Sequence, residues 1–319
     1  MVQTFLTGIH PRSERLIEAT RRHDRSLTTD EELEEALGED ILQLVRLQEE
    51  ADLTYVTDGL LNWQDLLRPI ASRIEGISEG PLTRWYNNNN FYRKPIIVGE
   101  MTWRPREDRP LIHSSMLPRT RRWKVVLPGP YTFTTLSDNR YYSDNGEVLD
   151  HYADVLREEI RELEEIGISQ IQLDEASMVT HPPSRDLMEK TKDAVNRLGK
   201  GSGMSITIHT FFGSIEGILS DLLDFDADII GIDFHQTDLE SISDIDITKV
   251  IACGCIDSRN SIIEDPHQMA DFLRSVRNEL NPPDICLCPN CDLEFLPRVK
   301  ADEKVAELGQ ACRLLEEET

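Results

Sequence analysis

Lysine is scarce in this chain: 8 lysines stand beside 26 arginines, and these 34 cations face 59 carboxylates, for a formal charge of −25. Such an excess of negative charge repels phosphates and excludes sequence-independent binding to nucleic acid. No run approaches the roughly 18 apolar residues of a membrane helix. The opening Met1-Val-Gln-Thr-Phe carries no signal-peptide charge pattern, so a cytoplasmic protein without membrane or nucleic-acid partners is expected. Six cysteines occur without a secretory signal, which argues against disulfides and for reduced thiols. None of the usual close-spaced zinc motifs is complete.

What is present is a 39% apolar composition, enough for a large core. A length of 319 residues without a linker-like stretch fits a single domain, residues 1–319. Eight apolar, β-branched runs read as strands: Thr4–Ile9, Leu53–Asp58, Lys124–Leu127, Ser169–Asp174, Ser205–His209, Asp228–Asp233, Lys249–Cys255 and Ile285–Cys288. Runs of this kind suit strands buried on both faces. Amphipathic helical stretches lie between most of them, at residues 31–51, 145–166, 186–198, 214–223, 266–280 and 301–317. Strand–helix alternation predicts an α/β fold, a (β/α)8 TIM barrel, with an open doubly wound sheet as the alternative. Between Leu60 and Arg122 the rhythm breaks. Trp63, Trp85, Tyr86, Asn87–Asn90, Phe91, Tyr92 and Trp103 form an irregular insertion between strands 2 and 3, expected over the barrel mouth.

Several predicted strands end on residues that bind metals or move protons, and barrel enzymes place their chemistry at those ends. One closes on Gln172-Leu-Asp174-Glu175, paired carboxylates able to hold an amine, position a proton or close the rim by a salt bridge. His209, Asp233 and Cys291 have zinc-ligand chemistry. Cys255, sharing a face with Asp257, is the candidate fourth ligand. Zinc bound there would lower the pKa of a substrate thiol. A strand-end histidine hydrogen-bonded to a neighbouring loop is the competing reading of His209. Cys253, Cys286 and Cys312 read as buried structural thiols.

In order and spacing, seven segments resemble the cobalamin-independent methionine synthase family. They are Thr7-Gly-Ile-His-Pro-Arg12, Trp85-Tyr-Asn-Asn-Asn-Asn-Phe-Tyr92, Leu127-Pro-Gly-Pro-Tyr-Thr132, Gln172-Leu-Asp-Glu-Ala176, His209-Thr-Phe-Phe-Gly213, Ala252-Cys-Gly-Cys-Ile-Asp-Ser-Arg-Asn260 and Pro289-Asn-Cys-Asp-Leu293. That family has two related barrels, and its C-terminal one uses zinc to activate homocysteine. The resemblance implies a homocysteine S-methyltransferase of methionine biosynthesis, or one subunit of a split enzyme, acting on a small-molecule thiol. Catalytic roles fall to Asp174 and Glu175, substrate binding to His10, Arg12, Asp174 and Asp257, and zinc to His209, Asp233, Cys255 and Cys291. Phe211 stands where the catalytic barrel has a cysteine, so the chain looks more like the N-terminal barrel, as a stand-alone archaeal-type protein. A separate zinc-bearing catalytic subunit is then the implied partner, and the chain itself could be its non-catalytic donor-binding or docking half. The folate-stacking tryptophan has no match after Pro130, which leaves methyl-folate, methyl-pterin and methyl-corrinoid as donors. A zinc-free enzyme using Asp174, Glu175 and His209 as acid and base is a third reading.

Overall fold

The structure, a computed structural model, describes residues 2–105 and 110–317. Among the described residues eleven strands run in chain order: β1 Gln3–Thr4, β2 Tyr55–Val56, β3 Ile74–Arg84, β4 Phe91–Trp103, β5 Arg122–Pro128, β6 Asp138–Asn139, β7 Ile168–Asp174, β8 Ser205–Thr210, β9 Ile229–Asp233, β10 Val250–Ile256 and β11 Ile285–Pro289. Eight of them form one parallel sheet in the order β1-β11-β10-β9-β8-β7-β5-β2. The two ends meet where the Thr54 N–H donates to the Thr4 carbonyl at 3.1 Å. All eight predicted strands are therefore present, in a nearly closed (β/α)8 barrel. β1 and β2 each pair over only two residues.

Local sequence explains where the enclosing helices begin. Ser13, Thr29, Asp144, Ser184 and Asp265 each accept a backbone N–H from the first turn that follows. Thr29 and Glu32 complete a reciprocal capping box. The helix Glu14–Asp24 and the two-turn helix Pro130–Leu136 are absent from the sequence-based reading.

Side-chain parity sorts the barrel into an inside and an outside. Phe5, Tyr55, Ile229, Ala252, Cys286 and Cys288 form a small interior cluster. Ile251, Cys253 and Cys255, on the opposite face of β10, belong to the shell that packs against the helices. Cys253 and Cys286 are buried as expected, whereas Cys312 is only half-buried.

The insertion is regular, contrary to its irregular sequence. β3 and β4 make a long antiparallel hairpin, and β6 adds a short parallel edge to β4. Its tip, Trp85–Asn90, is closed by the Trp85 N–H on the Asn90 carbonyl at 2.8 Å. This tip reaches the barrel mouth, where the Tyr86 hydroxyl lies 2.7 Å from Ser177 Oγ.

Candidate active site

Adjacent strands carry the polar floor of the mouth. Asp174 ends β7 in register with His209 of β8, which is in register with Gly231 of β9. Asp174 is fully buried. Its Oδ1 accepts from Gln172 Nε2 at 2.6 Å, while Oδ2 has no partner. Burial raises its pKa well above the carboxylate range, and Asp292 adds to the rise. Such an oxygen calls for a cationic or hydrogen-bonding ligand.

His209 is equally buried, with Nε2 2.8 Å from the Asn290 carbonyl. A carbonyl can only accept, so Nε2 carries the proton and Nδ1 keeps a lone pair. Burial lowers the pKa to about 3. His209 is thus a neutral hydrogen-bond acceptor and a poor proton store. The imidazole occupies the space over Gly231, where an added Cβ would lie 1.9 Å from Nδ1.

Asp233 is held on both oxygens. Oδ1 accepts from Asn290 Nδ2 (3.1 Å) and the His235 N–H (3.0 Å), and Oδ2 from the Phe212 N–H (3.2 Å). Cys291 is buried in an apolar cluster with Phe211 and Ala176, and burial raises its thiol pKa well above the ordinary range. Cys255 lies elsewhere. It lines an outer groove of about 530 Å³ with Phe234, His235, Asp257, Glu264 and Phe272.

Those positions part Cys255 from the other three residues expected to hold zinc. His209, Asp233 and Cys291 face the mouth, but Cys255 points outward because it sits on the other face of β10. Among the described residues no group of three or more His, Cys, Asp or Glu side chains is placed to hold a metal. Asp233 is held by Asn290 and two backbone N–H groups, His209 Nε2 is committed to the Asn290 carbonyl, and the Cys291 thiol lies in an apolar cluster, so the set does not fit zinc.

Other expected residues also separate. Glu175 is buried beside Asp174, but Oε1 and Oε2 accept the Tyr131 and Thr132 N–H groups at 2.9 and 2.7 Å. It anchors the N-terminus of the helix Pro130–Leu136, and burial pushes its pKa up to about 7. The acid–base pairing of Asp174 with Glu175 is therefore not what this geometry provides. His10 turns toward the last helix, with Nε2 2.8 Å from Asp302 Oδ1. Asp257 accepts the Arg259 N–H and lines the groove with Cys255, away from Asp174. Arg12 does sit near the mouth carboxyls, its charge opposed most strongly by Glu294.

Several site residues escaped sequence reasoning. Asp292 accepts the Ile9 N–H at 2.7 Å and has a pKa raised by burial to about 6. Burial lifts Glu294 to about 8, against Asn90 and Arg12. The available signal was a carboxylate directly after Cys291. Above the floor lies an aromatic roof in which Phe212 touches Tyr86, Phe211 and Phe295 at ring-centroid distances of 5.7, 4.7 and 5.9 Å. Tyr86 and Phe212 both hold positive φ, 48° and 71°. Bulky residues avoid that conformation, which costs on the order of 1–3 kcal/mol and persists where surroundings impose it, often at functional sites.

A family profile described as "Cobalamin-independent synthase, N-terminal domain" matches residues 72–281. The chain belongs to that family. Methionine synthases of Sulfurisphaera tokodaii and Sulfolobus acidocaldarius are each 27% identical to it, over 100% of this chain and 94% and 93% of theirs. A solved B12-independent methionine synthase from Shewanella sp. W3-18-1, in complex with selenomethionine, has the same fold. Its TM-score is 0.83 at 19% identity, covering 99% of this chain and 98% of that one. As a member of the cobalamin-independent synthase family, the chain is a methyltransferase of methionine biosynthesis. Among its described residues no helix is long and apolar enough to cross a membrane.

Proposed function

We propose that the mouth basin binds homocysteine and presents its sulfur to a methyl donor, with Asp174 receiving the substrate ammonium. The observation that carries this reading is Asp174 Oδ2, a buried carboxylate oxygen at a strand end with no partner. An ammonium there would complete its hydrogen bonding and offset the burial that otherwise favours the protonated acid. Asp292 adds negative potential on the same side of the mouth, and Arg12 is the nearby cation for the substrate carboxylate. Phe212, Tyr86 and Phe295 would cover the aliphatic part and keep water out.

In the transfer, the homocysteine sulfur bonds to the donor's methyl carbon as the methyl–nitrogen bond breaks. The bonding pair stays on that nitrogen, which takes up the thiol proton. The family's cobalamin-independent character favours a methyl-folate or methyl-pterin over a methyl-corrinoid.

A second reading rests on Phe211, whose ring fills the space beside Cys291. With an apolar side chain in that place, the chain would be the donor-binding or docking half of a split enzyme whose partner activates the thiol. Calorimetric titration of the purified chain with homocysteine tests the binding proposal, and no measurable heat up to millimolar ligand would end it. Methyl transfer from methyl-folate, assayed with and without a separate catalytic barrel, divides the two readings. Full turnover by the chain alone would remove the second.

A further inference from the structure

Below the mouth, the barrel interior holds a lysine with no obvious structural duty. Lys124 projects inward from β5 and is fully buried. Its Nζ donates to the Leu6 carbonyl at 2.6 Å and to Gln172 Oε1 at 2.5 Å, and lies 3.8 Å from the Phe5 ring centroid. Among the described residues it meets no carboxylate within ion-pair distance. A buried cation satisfied only by neutral groups is costly, and an apolar side chain would normally replace it in a core. Function is the ordinary reason for keeping one.

The second half of the arrangement is Gln172. Its Oε1 accepts from Lys124, while Nε2 donates to Asp174 Oδ1 at 2.6 Å and to the Thr7 carbonyl at 2.7 Å. An amide is polar at both ends, so occupation of one end by an ammonium fixes which end faces the acid. With Lys124 below, the amide cannot flip, because its NH2 would then face the ammonium and its carbonyl would face Asp174. Asp174 is therefore met by a donor on Oδ1 and keeps Oδ2 open. Burial lowers the Lys124 pKa to about 7, and Asp174 is one of the groups that hold it up.

The geometry points to Lys124 as a positioning residue that acts through Gln172, fixing Asp174 as an oriented acceptor for the ammonium of an amino-acid substrate. This inference rests on the assignment of Asp174 to that ammonium. Lys124 itself touches neither substrate nor donor. Its effect is on selectivity for ligands that carry the amine.

The test compares homocysteine with 4-mercaptobutanoate, the same thiol acid without its amine. Dissociation constants are measured by calorimetry on the full chain. The wild-type protein is expected to prefer homocysteine by about 50-fold, the scale of one charge-assisted hydrogen bond. Lys124→Met and Gln172→Leu should each bring that ratio below about 5-fold, with 4-mercaptobutanoate binding little changed. A general packing defect would weaken both ligands alike. Gln172→Leu keeps the lysine and removes the link, along with the Thr7 contact, so the inference stays testable if Lys124→Met does not fold. The double variant should be no less selective than either single one, since both act on one path. Retention of the 50-fold ratio in Gln172→Leu, while Asp174→Asn abolishes it, overturns the role of Lys124 and leaves the Asp174 assignment standing. A wild-type protein without preference overturns the Asp174 assignment and this inference with it.

Discussion

The mouth floor and the outer groove contain the same kinds of residue, yet they are built for different work. On the floor, Asp174, His209, Asp233 and Cys291 are buried, and two buried polar atoms, Asp174 Oδ2 and His209 Nδ1, have no partner. In the groove, Cys255 and Asp257 lie beside His235 and Glu264. The polar groups there are mutually satisfied: His235 Nε2 lies 3.1 Å from the Cys255 carbonyl, and Glu264 receives Lys304 Nζ and the Asp257 N–H. Unmet hydrogen-bonding capacity, rather than residue type, separates a ligand site from a structural rim.

The largest expected break in this contrast comes from Gly231→Ala. Its new Cβ would fall 1.9 Å from His209 Nδ1. The glycine lies in β9, paired on both sides, so the backbone cannot retreat. The histidine must then leave the Asn290 carbonyl. Denaturant unfolding should show a loss of about 3 kcal/mol. Gly217→Ala, with open space around it, should change stability by less than about 0.5 kcal/mol. Equal losses in the two variants would mean that the floor is not tightly built.

Asp174→Asn comes next. It preserves shape and removes the charge, so homocysteine affinity should fall by about 50-fold, with stability little altered. Calorimetry reads the first and thermal melting the second. Unchanged affinity would show that the open oxygen is not the ammonium site.

How much of this was legible from sequence follows from the geometry of each element. The barrel strands could be read because burial on both faces demands continuous apolar runs. The β3–β4 hairpin could not. Gly76, Gly80, Pro81, Pro95 and Gly99 interrupt it, and its pairing slips register between Glu75 and Ile77 and between Glu79 and Leu82, which erases a period of two. Asp174, His209 and Asp233 were legible because a strand end fixes where a side chain lies along the barrel. Whether it points in or out depends on parity, and Cys255 was misjudged on that account. Lys124 stands at the head of a short apolar run, where nothing in the sequence says that its ammonium finds Gln172.

Glu175 gives a pH-dependent version of the same contrast, since it is buried beside the open Asp174 yet fully engaged. Its folded pKa is raised by burial to about 7, above the ordinary value of 4.5. In the interval between these values the folded state binds more protons than the unfolded one. Its contribution is therefore complete below about pH 4.5 and is lost as pH rises through about 7. Asp292 and Glu294 titrate in overlapping ranges, so the useful measure is wild type against Glu175→Gln. The stability difference between them should shift against wild type by up to about 1.4 kcal/mol per pH unit across that interval. A difference independent of pH would contradict the raised value.

The smallest effect is expected at Cys255, and it asks most directly whether groove and floor are separate. Cys255→Ser places a hydroxyl where a buried thiol faces Phe272 and Met269 across the groove, at a cost of about 1 kcal/mol in stability. Because the side chain lies on the outward face of β10, homocysteine affinity and the zinc content of the purified protein should both stay within about twofold of wild type. Cys291→Ser alters the apolar wall formed with Phe211 and Ala176 beside the floor, and should weaken homocysteine binding measurably more. Parallel losses of ligand and zinc in both variants would mean that the two cysteines serve one centre, and that the outward direction of Cys255 misrepresents the working site.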